Sequence, residues 1–314
     1  MVSTKQQRVD LNNNWPTKSL FPAEKSLIDK MAKFGIEQVF QPAKLQYSKD
    51  QNFHDMLSHY LEALDQLPLR PDIAFDCIWK ALDAEFVRLQ KENGSKEGRF
   101  SLFYKHISKS TYTCNSYSQL TEVIPLQTCE FVAKRILENN ISYKASPRNN
   151  DFQSFRKRII QSFGQSLYNV FIDKYETLWA SNKANTQRDA GLLIQKLLKG
   201  KKLLIETIEF QLSDQDRALF LTAVTMPQFR NERFHGLTTP PFRSSAATLK
   251  TYSHAYFVFH VAYIHLLEVF LYRQFNTIDI KTATQSINDN LNLFLTVFKS
   301  EINKAPNRGG FQHY

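Results

Sequence analysis

The sequence predicts an all-α protein, and three observations favour this class. Apolar residues recur every three or four positions through several segments longer than ten residues, a pattern typical of amphipathic helices. Only nine of the 314 residues are glycine, which argues against many tight hairpins and against glycine-rich phosphate loops. Because 42% of the residues are hydrophobic, a chain of this length can bury a substantial core.

The first ninety residues contain two strongly periodic segments. Residues 1–50 are polar, and we expect an extension that carries one helix at residues 23–34. A helix is predicted at residues 51–66, and a stronger one runs from Pro71, which suits a first helical turn, to about residue 92, where an Asn-Gly pair ends it. Their apolar stripes comprise Phe53, Leu57, Tyr60, Leu61, Leu64, Ile73, Phe75, Ile78, Trp79, Leu82, Phe86 and Leu89.

The middle of the chain is less regular. Residues 98–117 are rich in Ser, Thr, Tyr and Phe, which predicts either a short strand pair or a loop crossing the bundle. A helix at residues 126–138 precedes a polar break, and we interpret residues 94–145 as an insertion. One long helix is then expected from Asp151, its N-cap, to about residue 181.

The C-terminal half returns to helical periodicity. Two helices are predicted around Gly200, at residues 185–198 and 202–212, and a third at 214–224 follows a capping-box pattern. The longest apolar segment is a helix capped by Ser244 or Ser245 that reaches about residue 275, and a last helix covers residues 284–303. The predicted organisation is an extension (1–50), an up-and-down helical domain (51–303) and a flexible tail (304–314).

One short segment concentrates reactive side chains. A helix is expected from about residue 226 to 235, where it would place Asn231 and His235 on one face because they are four residues apart. Gly236 then suits a helix stop. The segment reads Arg230-Asn231-Glu232-Arg233-Phe234-His235-Gly236.

Arginine and histidine together suit phosphodiester chemistry. Histidine exchanges protons near neutral pH, and the arginine fork matches phosphate oxygens. RNA supplies its own nucleophile, the 2′-hydroxyl. The alternatives remain a surface salt bridge for Arg230, for example with Glu232, a helix C-terminal role for His235, and a solvated charge for Arg233.

The pattern Arg-Asn-x3-His-Gly resembles the signature of the HEPN superfamily of ribonucleases, over about residues 213–263. The resemblance implies a HEPN-like α-helical bundle that cleaves RNA without a metal or other cofactor, usually as a dimer. It implies catalytic roles for Arg230, Asn231 and His235. His235 would move protons at the 2′-hydroxyl or the leaving 5′-oxygen, Arg230 would stabilise the transition state, and Asn231 would orient a neighbouring group or the phosphate.

Two further arginines, Arg233 and Arg243, are predicted RNA contacts because they lie in or close to the motif. The net charge of +10 suits an RNA partner. With one motif per chain, we expect a homodimer whose axis passes near Arg230 and His235, with residues 245–275 contributing to the interface.

Such a nuclease would belong to a defence or toxin system, and two alternatives remain open. The chain could instead be a HEPN-like module that dimerises or binds a partner without cutting RNA, or a toxin paired with a nucleotidyltransferase antitoxin. HEPN toxins paired with nucleotidyltransferase antitoxins often carry a modified tyrosine two residues after the motif histidine. Leu237 occupies that position here, which argues against such control.

The remaining candidates carry weaker signals. The three cysteines, Cys77, Cys114 and Cys129, are isolated, and the polar N-terminus lacks a secretory h-region, so we expect a cytoplasmic protein without a metal site. His254 and His265 share a helix face without an H-E-x-x-H pattern or a carboxylate ladder, which favours satisfied core or groove histidines over metal ligands. The basic cluster 156–158 is interpreted either as a solvated helix face or as part of an RNA groove.

Overall fold

The all-α prediction is confirmed. The computed structural model describes residues 3–14, 16–17, 19–94, 99–107, 109–205, 207–234 and 240–303. Apart from one hairpin of two antiparallel strands, the regular elements of these residues are helices. The α-helices are α1 (Thr4–Asn13), α2 (Pro22–Lys33), α3 (Gln51–Asp65), α4 (Pro71–Asn93), α5 (Arg99–Ile107), α6 (Thr111–Glu122), α7 (Leu126–Ala145), α8 (Asn150–Phe163), α9 (Gln165–Ser181), α10 (Lys183–Leu198), α11 (Asp214–Leu219), α12 (Met226–Phe234), α13 (Leu249–Tyr272) and α14 (Ile280–Phe298).

Local chemistry explains why α3 and α4 match their predictions closely. The Asp50 side chain caps α3 by accepting hydrogen bonds from the backbone N–H groups of Asn52 and Phe53, at 2.8 and 3.2 Å. Pro71 occupies the first turn of α4. Gly94 follows its last residue with a φ of 55°, a left-handed conformation that glycine adopts without strain.

The predicted strand pair or loop at residues 98–117 is wrong, because the described part of this segment forms α5 and most of α6. Ser110 caps α6 by accepting from the backbone N–H of Thr113 at 3.2 Å. Tyr112, Tyr117 and Leu120 are buried on its inner side. The β-favouring composition of the segment is therefore overridden by packing against the core. Helix α7 also extends seven residues beyond the predicted end at 138, through the expected polar break.

Two further helix predictions are wrong, and in each case a glycine ends a helix where the prediction differs from the structure. The single helix expected at 151–181 divides into α8 and α9 at Gly164, whose φ of 77° is not helical. The helix expected at 202–212 is instead the hairpin β1 (Leu203–Ile205) and β2 (Ile208–Phe210), with Leu204 paired to Glu209. Gly200, with a φ of 69°, ends α10 just before it. Strand alternation buries Ile205 and leaves Leu204 exposed.

The centre of the fold is α13, around which the other helices pack. Residues 252–270 are all buried, and α13 contacts α2, α4, α6, α7, α12 and α14. The helix is long and apolar enough to cross a membrane, but 89% of its most apolar window is buried inside the protein. A hydrophobic surface over the whole circumference of a helix is also typical of a core helix in a large soluble fold.

The N-terminal segment belongs to this core from Phe21 onwards, which differs from the predicted extension at residues 1–50. Phe40 makes edge-on contacts with Phe259 and Tyr263, at ring-centroid distances of 4.9 and 4.8 Å. The backbone N–H of Ala43 donates to the Tyr263 hydroxyl at 2.9 Å. The predicted insertion at 94–145 is likewise integrated, since α6 and α7 both pack on α13. The predicted tail, 304–314, lies outside the described residues.

Three histidines of α13 lie in the core. The hydroxyl of Thr128 is 2.9 Å from Nδ1 of His254, and that of Tyr117 is 2.8 Å from Nε2 of His265. His260 contacts the carbonyl of Tyr256 through Nδ1 at 2.6 Å. The prediction of core histidines at 254 and 265 is thus confirmed. Burial lowers the pKa of His254 and His260 to about 4 and that of His265 to about 3.

Because the pKa values of these three histidines are lowered in the folded protein, we expect its free energy of unfolding to fall in mild acid. Below pH ~6.5 the unfolded chain binds protons at these positions, while the folded chain does not until the pH approaches the lowered pKa values. The free energy of unfolding should therefore fall by about 1.4 kcal/mol per pH unit for each histidine as the pH decreases from ~6 to ~4. Urea unfolding at pH 7.5, 6 and 5 measures this slope.

A matched pair of variants isolates the core histidines from other titrating groups. His265→Gln retains a hydrogen-bonding group for Tyr117 and should have a shallower pH slope than the wild type. His59→Gln makes the same change at a histidine whose side chain is 40% exposed, and it is the control for the substitution itself. Equal slopes for wild type and His265→Gln would contradict the interpretation.

Candidate functional site

The described residues of the motif, Arg230 to Phe234, lie on α12, which continues directly from α11. The intervening residues Phe220–Thr225 have π-helical hydrogen bonding, and the backbone stays right-handed at Leu219 and Met226 on either side. Pro227 lies in the first turn of α12. His235 and Gly236 lie outside the described residues, so the helix predicted at 226–235 is confirmed as far as Phe234. Wide π turns occur frequently at functional sites.

Arg230 carries a charge that is not neutralised by any carboxylate of the described residues. Its Nη1 donates to Oδ1 of Asn231 at 3.2 Å, and its guanidinium carbon lies 4.5 Å from the ring centroid of Phe234 and 6.0 Å from that of Trp79. Its Nε is buried without a hydrogen-bond partner. The alternative of a salt bridge with Glu232 is contradicted, because Glu232 pairs elsewhere. Arg230 therefore has unused capacity to bind an anion.

Glu232 faces the opposite side and connects α12 to α7. Its buried carboxylate accepts from Nε of Arg135, whose Nη1 also donates to Glu138 at 2.6 Å. Burial lowers the pKa of Arg135, but the hydrogen bond and charge of Glu232, together with Glu138, reverse this and raise it. Arg135 is thus held charged between two carboxylates and fixes the orientation of α12.

Arg233 connects α12 to α4 through ion pairs. Its Nη2 lies 2.6 Å from Oδ2 of Asp76, and its Nη1 lies 2.8 Å from Oδ2 of Asp72. Asp72 is fully buried and also receives two hydrogen bonds from Arg70. Burial raises the pKa of Asp76, although Arg233 opposes this shift. This geometry favours a structural role for Arg233 and argues against the predicted RNA contact.

The second predicted RNA contact, Arg243, is also paired. Its Nη1 lies 3.4 Å from Glu24, and its guanidinium carbon lies 4.5 Å from the ring centroid of Phe21. Glu24 is itself buried and accepts from the backbone N–H of Phe21 at 2.8 Å. Arg243 therefore joins the segment after α12 to the start of α2, and its contact with RNA stays a prediction.

Asn231 lines a cleft of about 970 Å³ that the sequence did not reveal. The cleft lies among α7, α8, α12 and the junction between α9 and α10, and its wall includes three cationic side chains, two carboxylates and three side-chain amides. Four separate segments of the chain line the cleft, so no pattern within one segment predicts it. The lining residues are Arg135, Glu138, Asn139, Ile141, Ser142, Asp151, Phe152, Ser154, Phe155, Arg158, Trp179, Lys183, Gln228 and Asn231.

The basic cluster 156–158 has one member in this cleft. Arg156 stacks on Tyr143, with its guanidinium carbon 4.5 Å from the ring centroid, and Lys157 is exposed. Arg158 lines the cleft. Consecutive residues of a helix point to different sides, so only one of the three basic residues reaches the cleft. The basic cluster in the sequence therefore indicated the site only in part. Among the described residues, no group of three or more His, Cys, Asp or Glu side chains is placed to hold a metal ion.

Comparison of the chain with protein-family models, with curated proteins and with solved structures finds no match.

The ion pairs of α12 predict different effects for two neighbouring arginines. Arg233→Gln leaves the buried Asp72 and Asp76 undercompensated and should lower the free energy of unfolding by about 3 kcal/mol. Arg230→Gln removes no ion pair and should lower it by no more than about 1 kcal/mol. Urea unfolding at pH 7.5 measures both. If the two variants were equally stable, the structural assignment of Arg233 would be wrong.

Proposed function

We propose that this chain is a metal-independent endoribonuclease of HEPN type. The observation that carries the proposal is the state of Arg230, which forms no ion pair with a carboxylate of the described residues. Its buried Nε has no hydrogen-bond partner among them, and its Nη1 donates to Asn231 on the same helix. An arginine that is positioned but not neutralised is suited to bind a phosphodiester oxygen. The net charge of +10 supports a polyanionic substrate.

In the proposed reaction, the 2′-hydroxyl of RNA attacks the adjacent phosphorus and the bond from phosphorus to the 5′-oxygen breaks. His235 accepts the hydroxyl proton or donates a proton to the leaving oxygen. Arg230 stabilises the charge that develops on the non-bridging oxygens, and Asn231 orients Arg230 through their hydrogen bond. The products carry a 2′,3′-cyclic phosphate and a 5′-hydroxyl.

The neighbouring ion pairs support this division of roles within the motif. Glu232 and Arg233 attach α12 to α7 and α4 from two sides. Within the described motif, Arg230 and Asn231 form no ion pair with another helix of the described residues. A rigid support of this kind preorganises the reacting groups, which lowers the cost of arranging them in the transition state.

The test is cleavage of a labelled single-stranded RNA in EDTA. His235→Ala should lower the rate by at least ~100-fold, since proton transfer contributes about 10²–10⁴, and Arg230→Gln should lower it by a similar factor. Lys157→Gln, an exposed change on α8, is the matched control and should retain the wild-type rate. Mass spectrometry should find 2′,3′-cyclic phosphate ends on the products.

Equal cleavage by wild type and His235→Ala would overturn the nuclease. The second candidate, a HEPN-like module that binds a partner without cutting RNA, would then be favoured. The 49% exposed ring of Phe234 beside Arg230 supports that candidate, because it offers an apolar contact at the motif.

A homodimer is the expected assembly, since two motif helices would bring two proton-transfer groups to one phosphate. Residues 252–270 of the segment 245–275 are covered within their own chain, so we propose that the interface forms mainly around α12. We expect a two-chain mass in analytical ultracentrifugation and a cleavage rate per chain that falls on dilution. A monomer with full activity would contradict this expectation.

A further inference from the structure

The cleft beside α12 contains polar groups whose hydrogen-bonding capacity is unused. Nε of Arg158 and Oδ1 of Asn139 are both buried and have no hydrogen-bond partner in the part of the chain that the structure describes. Leaving a buried donor or acceptor unpaired costs about 1–3 kcal/mol, more when the group is charged. Two such groups on the wall of one cleft therefore indicate that a ligand satisfies them.

Arg158 is the strongest indication. Its Nη1 donates to the hydroxyl of Ser154 at 2.7 Å, and its guanidinium carbon lies 5.6 Å from the ring centroid of Phe155. Burial lowers its pKa, while the nearby Asp151 opposes this only in part. No carboxylate of the described residues forms an ion pair with it within 4 Å. The side chain is thus held in place with a fork of donors available for an oxyanion.

The other charges of the cleft identify the sign and size of the ligand. The side chains that line the cleft include three cations, Arg135, Arg158 and Lys183, and two carboxylates, Glu138 and Asp151. The lining therefore carries one net positive charge, which favours an anion. A volume of about 970 Å³ lies at the upper end of the range of roughly 300–1,000 Å³ for ligand pockets, which is far larger than an inorganic anion requires.

The uncharged part of the wall suits a nucleotide. Asn139 provides an acceptor for a sugar hydroxyl, and the side-chain amides of Gln228 and Asn231 lie on the α12 side of the same cleft. Phe152, which is half-buried, adds aromatic surface. Aromatic surface next to cationic side chains is typical of sites for single-stranded nucleic acid.

We propose that the cleft is a subsite for single-stranded RNA in which Arg158 binds a backbone phosphate beyond the one that is cut. Asn231 joins this subsite to the motif, because it lines the cleft and also accepts a hydrogen bond from Arg230. A strand held at Arg158 therefore continues along α12 towards Arg230. The inference rests on RNA as the ligand of the proposed function, but not on cleavage.

The experiment measures binding of a fluorescent single-stranded RNA by anisotropy in full-length His235→Ala protein, which keeps the strand intact. Adding Arg158→Gln should weaken binding at least roughly tenfold. It should also reduce the slope of log K against log salt by about 0.7, the value for one lost phosphate contact on a single strand. Arg158→Lys keeps the charge but loses the fork, and its affinity should be intermediate.

Lys157→Gln is the matched control, since it removes one exposed positive charge from the adjacent position of α8. It should change the affinity less than twofold. Circular dichroism and urea unfolding of each variant establish that it is folded. A poly-glutamate peptide, used as a competitor of equal charge, should displace the RNA poorly.

The outcomes separate this inference from the nuclease. If RNA binds and Arg158→Gln binds as tightly as its parent, the subsite is wrong while the nuclease stands on its own assay. If binding depends on Arg158 but wild type does not cleave, the subsite stands and the nuclease fails. If wild type binds no RNA, or if poly-glutamate displaces RNA equally well, the subsite is overturned.

Discussion

The fold depends on the complete burial of α13. Its residues 252–270 are buried around the whole circumference of the helix, so at least one other helix must cover each side. Each large apolar side chain removed from water in this way contributes about 1.5–3 kcal/mol. The polar side chains of α13 are buried with it and need partners from those covering helices. Glu268 accepts from Ser110 and Thr113 at 2.6 and 2.7 Å, which connects α13 to the start of α6.

This arrangement explains how α12 acquires a fixed position at the edge of the core. Phe229 points inwards, with its ring centroid 5.2 Å from that of His254 on α13 and 4.9 Å from that of Phe75 on α4. Glu232 and Arg233 then attach the helix to α7 and α4 by ion pairs. Buried ion pairs contribute little net stability, but they penalise other orientations strongly. The main effect of these pairs is therefore to determine which residues of α12 face outwards.

The same constraints distribute charge around the candidate site. Most arginines near the motif are neutralised, as Arg135, Arg233 and Arg243 show. Arg230 and Arg158 differ, since neither forms an ion pair with a carboxylate of the described residues and each has a buried Nε without a hydrogen-bond partner there. A positive net charge alone does not identify a nucleic-acid surface, because most basic residues serve the fold or the solvent. Arginines without an ion pair are more informative than net charge. Burying their unpaired nitrogens costs free energy, and a bound anion would offset that cost.

The amino-acid sequence alone determined the all-α class, the positions of α3, α4 and α12, and the core character of His254 and His265. These features follow from the helical period, from caps and from prolines, which act within a few residues. Composition misled at residues 98–117, where packing against the core overrides the local preference for strands. The helix expected at 202–212 is a hairpin with strand alternation that begins after Gly200. The tertiary structure decided that Arg233 is bound by Asp72 and Asp76 from a helix about 160 positions earlier, and that Arg158 shares a cleft with Asn231. Contacts between distant segments depend on how whole helices pack, so the order of residues along one segment does not reveal them.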